Sequence, residues 1–338
     1  MSAVRTPQSW LYPTPAGLYC EPGEFYIDPP RPVDRALITH GHADHARAGH
    51  RHVLATPETI AIMKVRYGAE CAGAFEDADY GQTMVIGGID VRFVPAGHIL
   101  GSAQIVLDYA GSRIVVSGDY KREADPTCRA FELVPCDVFV TEATFALPLF
   151  RHGPVSDQIA RLMRSIEMHP DRAHLVGAYG LGKSQRILKL VRETGYDRPI
   201  FLHGSHVSLT QLYERLGQDF GDVRAVSEAG ENELKSALVL CPPSALADRW
   251  SRRFGEPVTA FASGWMRVRG RVRQRGVELP LIISDHADWP ALLETIVATG
   301  AEDVWVTHGR DDALVHQLGL MGRRARALSL VGFDDEAD

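Results

Sequence analysis

The chain is poor in cysteine: Cys20, Cys71, Cys128, Cys136 and Cys241 are odd in number, and none falls in a C-x-x-C pair. Neither a disulfide framework nor a thiolate zinc site is indicated, and reduced, mostly buried thiols are expected. Long hydrophobic runs are also missing. Residues 1–10 contain no apolar core for a signal peptide, and no later stretch approaches the ~18 apolar residues of a membrane span. A cytoplasmic protein without membrane attachment is the expectation. There is no internal repeat, no low-complexity tract and no excess of positive charge: the formal net charge of -7 argues against a protein that coats nucleic acid by bulk electrostatics.

What remains is an ordinary globular composition, 45% hydrophobic and 23% charged, which excludes a disordered or collagen-like chain. With 338 residues it can bury a large core, and two domains of moderate size are expected. A local basic groove is still open to it. Arg267, Arg269, Arg271, Arg273 and Arg275 alternate along one stretch, and in a strand all five would share a face suited to phosphates or, equally, a solvated edge.

Residues 17–20, 25–27, 36–39, 53–55, 85–86, 89–94, 103–109, 113–117 and 138–141 read as short strands between turn signals, with one helix near 58–67. From about Val155 the rhythm changes to helices at 156–168, 185–194 and 208–216 alternating with strands at 174–178 and 199–203. Such alternation predicts a parallel sheet covered by helices. A strand at 281–284, a helix near 290–298 and a strand at 304–307 follow. The predicted organisation is an α/β chain with a first domain part at 1–150, an insert at 151–278 and a return at 279–338.

The most informative segment is Leu37-Ile38-Thr39-His40-Gly41-His42-Ala43-Asp44-His45. An apolar strand runs into a turn carrying three imidazoles and a carboxylate, on a backbone too short to bury them separately. Imidazole and carboxylate are the ligands that suit zinc and manganese, and two such ions close together need a dense supply of both. A lone histidine is more often a satisfied core or surface residue, which is the reading for His152, His169 and His316. His98, among glycines after the strand at 89–94, and Asp119, at the end of an apolar strand, are candidates to join the cluster.

With its ordered H-x-H-x-D-H, later histidine and later aspartate, the chain resembles the metallo-β-lactamase superfamily. The resemblance implies a four-layer αββα sandwich with metals at one edge. His40, His42 and His98 would hold the first metal, Asp44 and His45 the second, and Asp119 would bridge them. Asp28 matches the family's early aspartate, which orients the histidine turn from behind; an aspartate before Pro29-Pro30 is also ordinary turn chemistry. Val140-Thr141-Glu142-Ala143-Thr144-Phe145, Ser284-Asp285-His286-Ala287-Asp288 and Val306-Thr307-His308-Gly309 are similar to three further motifs of the β-CASP nuclease branch, whose inserted α/β domain fits the helix and strand alternation. The likeness spans about residues 17–328.

That branch implies a metal-dependent nuclease using two divalent ions, zinc or manganese. A water held between two cations loses its proton near neutrality, its pKa falling from about 16 towards roughly 7, and attacks phosphorus in line. His308 would complete the second metal's ligands, and His286, its tautomer fixed by Glu142, would act on the leaving oxygen. A histidine in the last motif is typical of RNA-processing members. Residues 27–34 and 284–289 look most like a bacterial group of ligase-associated DNA exonucleases, which favours DNA over RNA and a role in DNA repair, with a ligase or helicase as functional associate. Rival readings are a thioester or lactone hydrolase, disfavoured by the long insert, and a catalytically silent binding subunit, disfavoured by intact motifs.

Gly177-Ala178-Tyr179-Gly180-Leu181-Gly182-Lys183-Ser184 spells G-x-x-x-x-G-K-S between an apparent strand and helix, the context of a P-loop ATPase. No strand ending in a Walker B aspartate follows. Lys183 and Ser184 at a helix start, and Ser102 beside His98, are expected instead as contacts to a substrate phosphate. His203-Gly204-Ser205-His206 reads as a loop whose histidines carry no metal.

Overall fold

The computed structural model describes residues 6–309 and 311–328, and the chain divides into two compact units. One comprises residues up to Arg151 together with those from His286 onward; the other runs from His152 to Asp285. The first unit begins with β1 (Leu11–Thr14), β2 (Gly17–Cys20), β3 (Phe25–Ile27), β4 (Arg35–Leu37), β5 (His52–Ala55), α1 (Pro57–Tyr67) and β6 (Ala74–Asp77). It continues with β7 (Thr83–Ile86), β8 (Ile89–Pro95), β9 (Ala103–Tyr109), β10 (Ser112–Val116) and β11 (Val138–Ala143). The second unit contains α2 (Val155–Met168), β12 (His174–Gly177), α3 (Lys183–Glu193), β13 (Ile200–Leu202), α4 (Gly204–Arg215), β14 (Val223–Ala225), α5 (Glu231–Leu234), β15 (Leu238–Cys241), β16 (Val258–Ala262), α6 (Arg269–Arg275) and β17 (Leu279–Leu281). The chain returns to the first unit as α7 (Trp289–Thr299), β18 (Asp303–Gly309), α8 (Asp311–Leu320) and β19 (Arg324–Ala327).

In the first unit β1 to β6 form one sheet in sequence order, and β19-β18-β11-β10-β9-β8-β7 form a second. Leu18, Phe25, Ile27, Leu37 and Leu54 of the one share a core cluster with Ile105, Leu107, Ile114, Val116, Val138, Val140 and Trp305 of the other. The intervening residues Val106, Val115 and Phe139 pack instead with Leu292 and Ile296 of α7 and Leu314 and Leu318 of α8. The middle of the second sheet is therefore apolar on both faces, and β9, β10 and β11 carry runs of consecutive buried residues, whereas β7 and β19 at its edges are partly exposed. On the first sheet Ala36, Ile38, Val53 and Ala55 pack with Ile60 and Met63 of α1. That helix starts where the Thr56 side chain accepts the N–H of Thr59, with Pro57 in its first position.

The sheet of the second unit, β14-β13-β15-β12-β16-β17, is parallel at every pairing, as the helix and strand alternation predicts. The arginine stretch is a correction: residues 269–275 form α6, not a strand, so the five arginines do not share a face. In a strand the alternate face would carry only Val268, Gly270, Val272 and Gln274, too little apolar surface to bury. In a helix Val268 and Val272 fall one turn apart on one side, and Gly276 ends it in the left-handed conformation at φ 62°. Arg271 and Arg275 lie over the rings of Trp265 and Phe261. His203 and Gly204 are likewise not loop but the start of α4, where the His203 side chain accepts the N–H of Ser205.

All five cysteines are free, with Cys20, Cys71 and Cys241 buried. Burial pushes the thiols of Cys20, Cys136 and Cys241 up to about 12, which leaves them unreactive near neutral pH. Among the described residues no helix is long and apolar enough to cross a membrane.

Candidate metal centre

The strands β10, β11 and β18 run parallel, and β8 shares their direction because β9 is antiparallel to both β8 and β10. Their C-terminal ends therefore open on one side of the sheet. His98 follows β8, Asp119 follows β10, Glu142 lies near the end of β11, and the turn holding His40, His42, Asp44 and His45 follows β4. The sequence assigns these residues to one site, and the structure brings them together.

Asp119 Oδ2 is the centre of the cluster, 3.4 Å from His40 Nε2, 3.5 Å from His45 Nε2 and 3.7 Å from His98 Nε2. The ligand atoms of His40, His42, His98 and Asp119 all lie within 4.8 Å of one another, and those of Asp119, Glu142 and His286 do the same. Asp44 Oδ2 lies 3.7 Å from His45 Nε2, and His42 Nδ1 lies 3.0 Å from His98 Nε2. The side chain of His308 is outside the described residues.

Behind the cluster, Asp28 is buried and held at φ 44°, a left-handed conformation that aspartate tolerates better than most side chains. Its Oδ1 accepts the Thr39 N–H at 2.8 Å, and its Oδ2 accepts the Thr39 hydroxyl at 2.6 Å and pairs with His45 Nδ1 at 2.7 Å. That last contact fixes the proton on Nδ1 and turns Nε2 towards Asp119. Thr39, having donated its proton to Asp28, can only accept at His40 Nδ1, 3.1 Å away, so His40 too presents the lone pair of Nε2. Sequence reasoning missed Thr39. Its signal was its place, a buried hydroxyl between an apolar strand and the histidine turn.

The donor set suits a divalent cation. Among the described residues His40 Nε2 is buried with no hydrogen-bond partner. Burial, reinforced by the neighbouring His45, holds the His40 imidazole well below its ordinary value and therefore neutral, the form that ligates. His45 goes the other way: burial opposes its protonation, but Asp119, Asp44 and Asp28 outweigh burial and push it up to about 10. Three carboxylates that call for a cation in this way are answered equally by a metal. Ligands at 2.0–2.1 Å from a tetrahedral zinc stand about 3.3–3.5 Å apart, close to the spacings around Asp119.

Glu142 and His286 form the other side of the cluster. Glu142 Oε2 lies 2.9 Å from His286 Nδ1, while Oε1 accepts the Tyr120 N–H at 2.8 Å. The His286 ring lies 4.7 Å from that of His98, centre to centre. The three expected phosphate contacts fare differently. Ser102 Oγ is buried and accepts the N–H groups of His98 and Ile99, so it shapes the His98 loop. Lys183 and Ser184 are wholly buried, with Lys183 Nζ 3.6 Å from Asp285 Oδ2 and Ser184 Oγ donating to the Tyr179 carbonyl at 2.8 Å. Both side chains are turned inward, which corrects the expectation of an open anion site there.

No family model matches the chain. A probable DNA ligase of Opitutus terrae is 29% identical over 92% of this chain and 30% of its own length. Subunit 3-I of the cleavage and polyadenylation specificity factor of Arabidopsis thaliana is 29% identical over 56% of this chain and 32% of its own. A ribonuclease of Thermus thermophilus is 25% identical over 72% of this chain and 63% of its own. The chain thus spans about a third of the length of the first two of these relatives. Among solved structures, a protein of unknown function from Enterococcus faecalis matches with a TM-score of 0.55 at 15% identity, over 80% of this chain and 74% of that one, which shows a shared fold.

Proposed function

We propose that this chain, a homologue of the β-CASP nucleases of the metallo-β-lactamase superfamily, hydrolyses phosphodiester bonds with two divalent metal ions, zinc or manganese, and acts on DNA as an exonuclease in repair. The observation that carries the reading is the convergence of three imidazole Nε2 atoms on Asp119 Oδ2, with Asp44, Glu142 and His286 beside it. Sheets covered on their outer faces by α1, α7 and α8 support the four-layer sandwich, with residues 151–278 as the inserted domain.

In this reading His40, His42 and His98 would hold one ion and Asp44, His45 and His308 the other, with Asp119 available to both. Such ions make bound water acidic and offset charge on the phosphate. Asp28 and Thr39 keep His45 and His40 in the ligating tautomer. Glu142 accepts from His286 Nδ1 and orients the ring, which in its protonated form would offer Nε2–H to the leaving oxygen as the P–O bond breaks.

The match to a probable DNA ligase over 92% of this chain supports DNA and an association with ligation. A specific observation favours a second reading, RNA processing: the polyadenylation factor and the ribonuclease are both relatives. One experiment separates them. The protein is incubated with Mn²⁺ or Zn²⁺, and with chelator, on end-labelled single- and double-stranded DNA and RNA of one sequence, beside an Asp119→Ala control. Metal-dependent shortening of DNA that the control lacks is expected. Cleavage of RNA alone moves the assignment to RNA processing, and cleavage of neither refutes the nuclease.

A further inference from the structure

The segment that spells a phosphate loop has its side chains turned inward, and what they hold points to a role. Gln185 locks the turn: its Oε1 accepts the Gly182 N–H at 2.8 Å, and its Nε2 donates to the Gly180 carbonyl at 3.0 Å and to Thr210 Oγ1 at 2.9 Å. From that fixed start of α3, two buried cations reach one carboxylate. Lys183 Nζ lies 3.6 Å from Asp285 Oδ2, and Arg186 Nη1 lies 3.4 Å from Asp285 Oδ1 while donating to the Ser284 carbonyl at 2.6 Å. Lys183 is 0% exposed, Arg186 1% and Asp285 3%.

Two cations and one carboxylate out of water make a poor stabiliser, because the desolvation penalty matches or exceeds the attraction. Their geometry is specific, however. Together they fix both oxygens of Asp285 and the carbonyl before it, and so the backbone direction of the residue bonded to His286. On the other side Ala287 donates its N–H to the Tyr120 carbonyl at 2.8 Å.

We propose that Lys183 and Arg186 are positioning residues for His286, acting through Asp285, with the carboxylate seated where the lysine of a nucleotide loop would meet a phosphate. The kinetic consequence rests on the nuclease reading; the structural one does not.

The test compares Asp285→Asn, Lys183→Met and the Lys183→Met/Asp285→Asn double variant, all zinc-loaded. The double variant removes one cation together with the carboxylate, so the buried group keeps the net charge it has in the wild type, and it is expected to recover much of the thermal stability that Asp285→Asn loses. Its kcat should nonetheless stay about 10–100-fold below wild type, with KM within about twofold, as a catalytic group displaced by a fraction of an ångström implies. In ¹⁵N-histidine-labelled protein, the Nδ1–H signal that disappears in His286→Asn should shift or broaden in the double variant while those of His40 and His45 stay. An unmoved His286 signal, or a kcat that recovers along with stability, overturns the proposal. If wild type cleaves no nucleic acid, the nuclease reading falls and the His286 signal still decides the clamp.

Discussion

Glu142 Oε2 and His286 Nδ1 meet at 2.9 Å across 144 positions of sequence. The other carboxylate oxygen takes the backbone N–H of Tyr120, one residue after Asp119. Glu142 therefore ties the ring of His286 to the strand end that presents the centre of the cluster, and sets a carboxylate charge against Nδ1.

Glu142→Gln keeps the size and removes that charge. The expected outcome is a kcat about 10–100-fold lower, with metal content and KM for an oligonucleotide near those of wild type. Atomic absorption beside steady-state kinetics checks it, and loss of metal in the variant would instead make Glu142 part of the metal's hold.

Asp28→Asn should weaken zinc binding about 10–100-fold, because its single amide oxygen cannot accept from both the Thr39 N–H and His45 Nδ1, and the NH2 group must face one of these donors. Competition against a chromophoric chelator measures it. An unchanged affinity would mean that Asp28 matters only to the turn.

Gly118 stands at φ 54°, and a Cβ there would lie 2.7 Å from both Cβ and Oγ1 of Thr39. Gly118→Ala should push Thr39 off Asp28 and His40, costing about 1–3 kcal/mol of stability through overpacking and strain. It should also lower zinc affinity, which a substitution acting on the fold alone leaves intact. Denaturant unfolding paired with the chelator competition reads both.

Burial, with His203 nearby, lowers the His206 imidazole to about 4 from an ordinary 6.5. The unfolded chain binds this proton below pH 6.5, and the folded chain does so only near pH 4. Stability is therefore full above pH 6.5 and declines as the pH falls from 6.5 to about 4, at up to about 1.4 kcal/mol per pH unit. His206→Gln should flatten the pH dependence of urea unfolding in that window by up to that slope. Parallel curves for variant and wild type would contradict it.

The cluster around Asp119 was legible in the sequence because His40, His42, Asp44 and His45 crowd one turn, and because His98 and Asp119 each end an apolar strand. The parallel sheet was legible from helices alternating with short apolar runs. The arginine stretch misled because alternation of charge with Val268, Gly270, Val272 and Gln274 has the strand's period, while the spacing of the two valines is the helix's. The P-loop spelling misled for another reason: the Asp285 that meets Lys183 lies far along the chain, and no local pattern predicts such a contact. Thr39 has no signature of its own, since a threonine at a strand end is commonplace and only Asp28, brought in from β3, gives it a task.

Strand β11 sits between β10 and β18, and Thr307 Oγ1 donates to the Thr141 carbonyl across 166 positions of chain. A ribosome therefore releases β11, apolar on both faces, long before the strand that covers its flank has been made. The unit from His152 to Asp285 is contiguous and its strands pair only with one another, so it can fold while the outer sheet still waits. Nascent chains that stall before Asp303 carry an open, hydrophobic sheet edge, the kind of surface that recruits chaperones or seeds aggregation. The inserted arrangement thus ties the safety of synthesis to how quickly β18 follows β11, and the residues from 144 to 302 between them take roughly 8–32 seconds at ordinary translation speed.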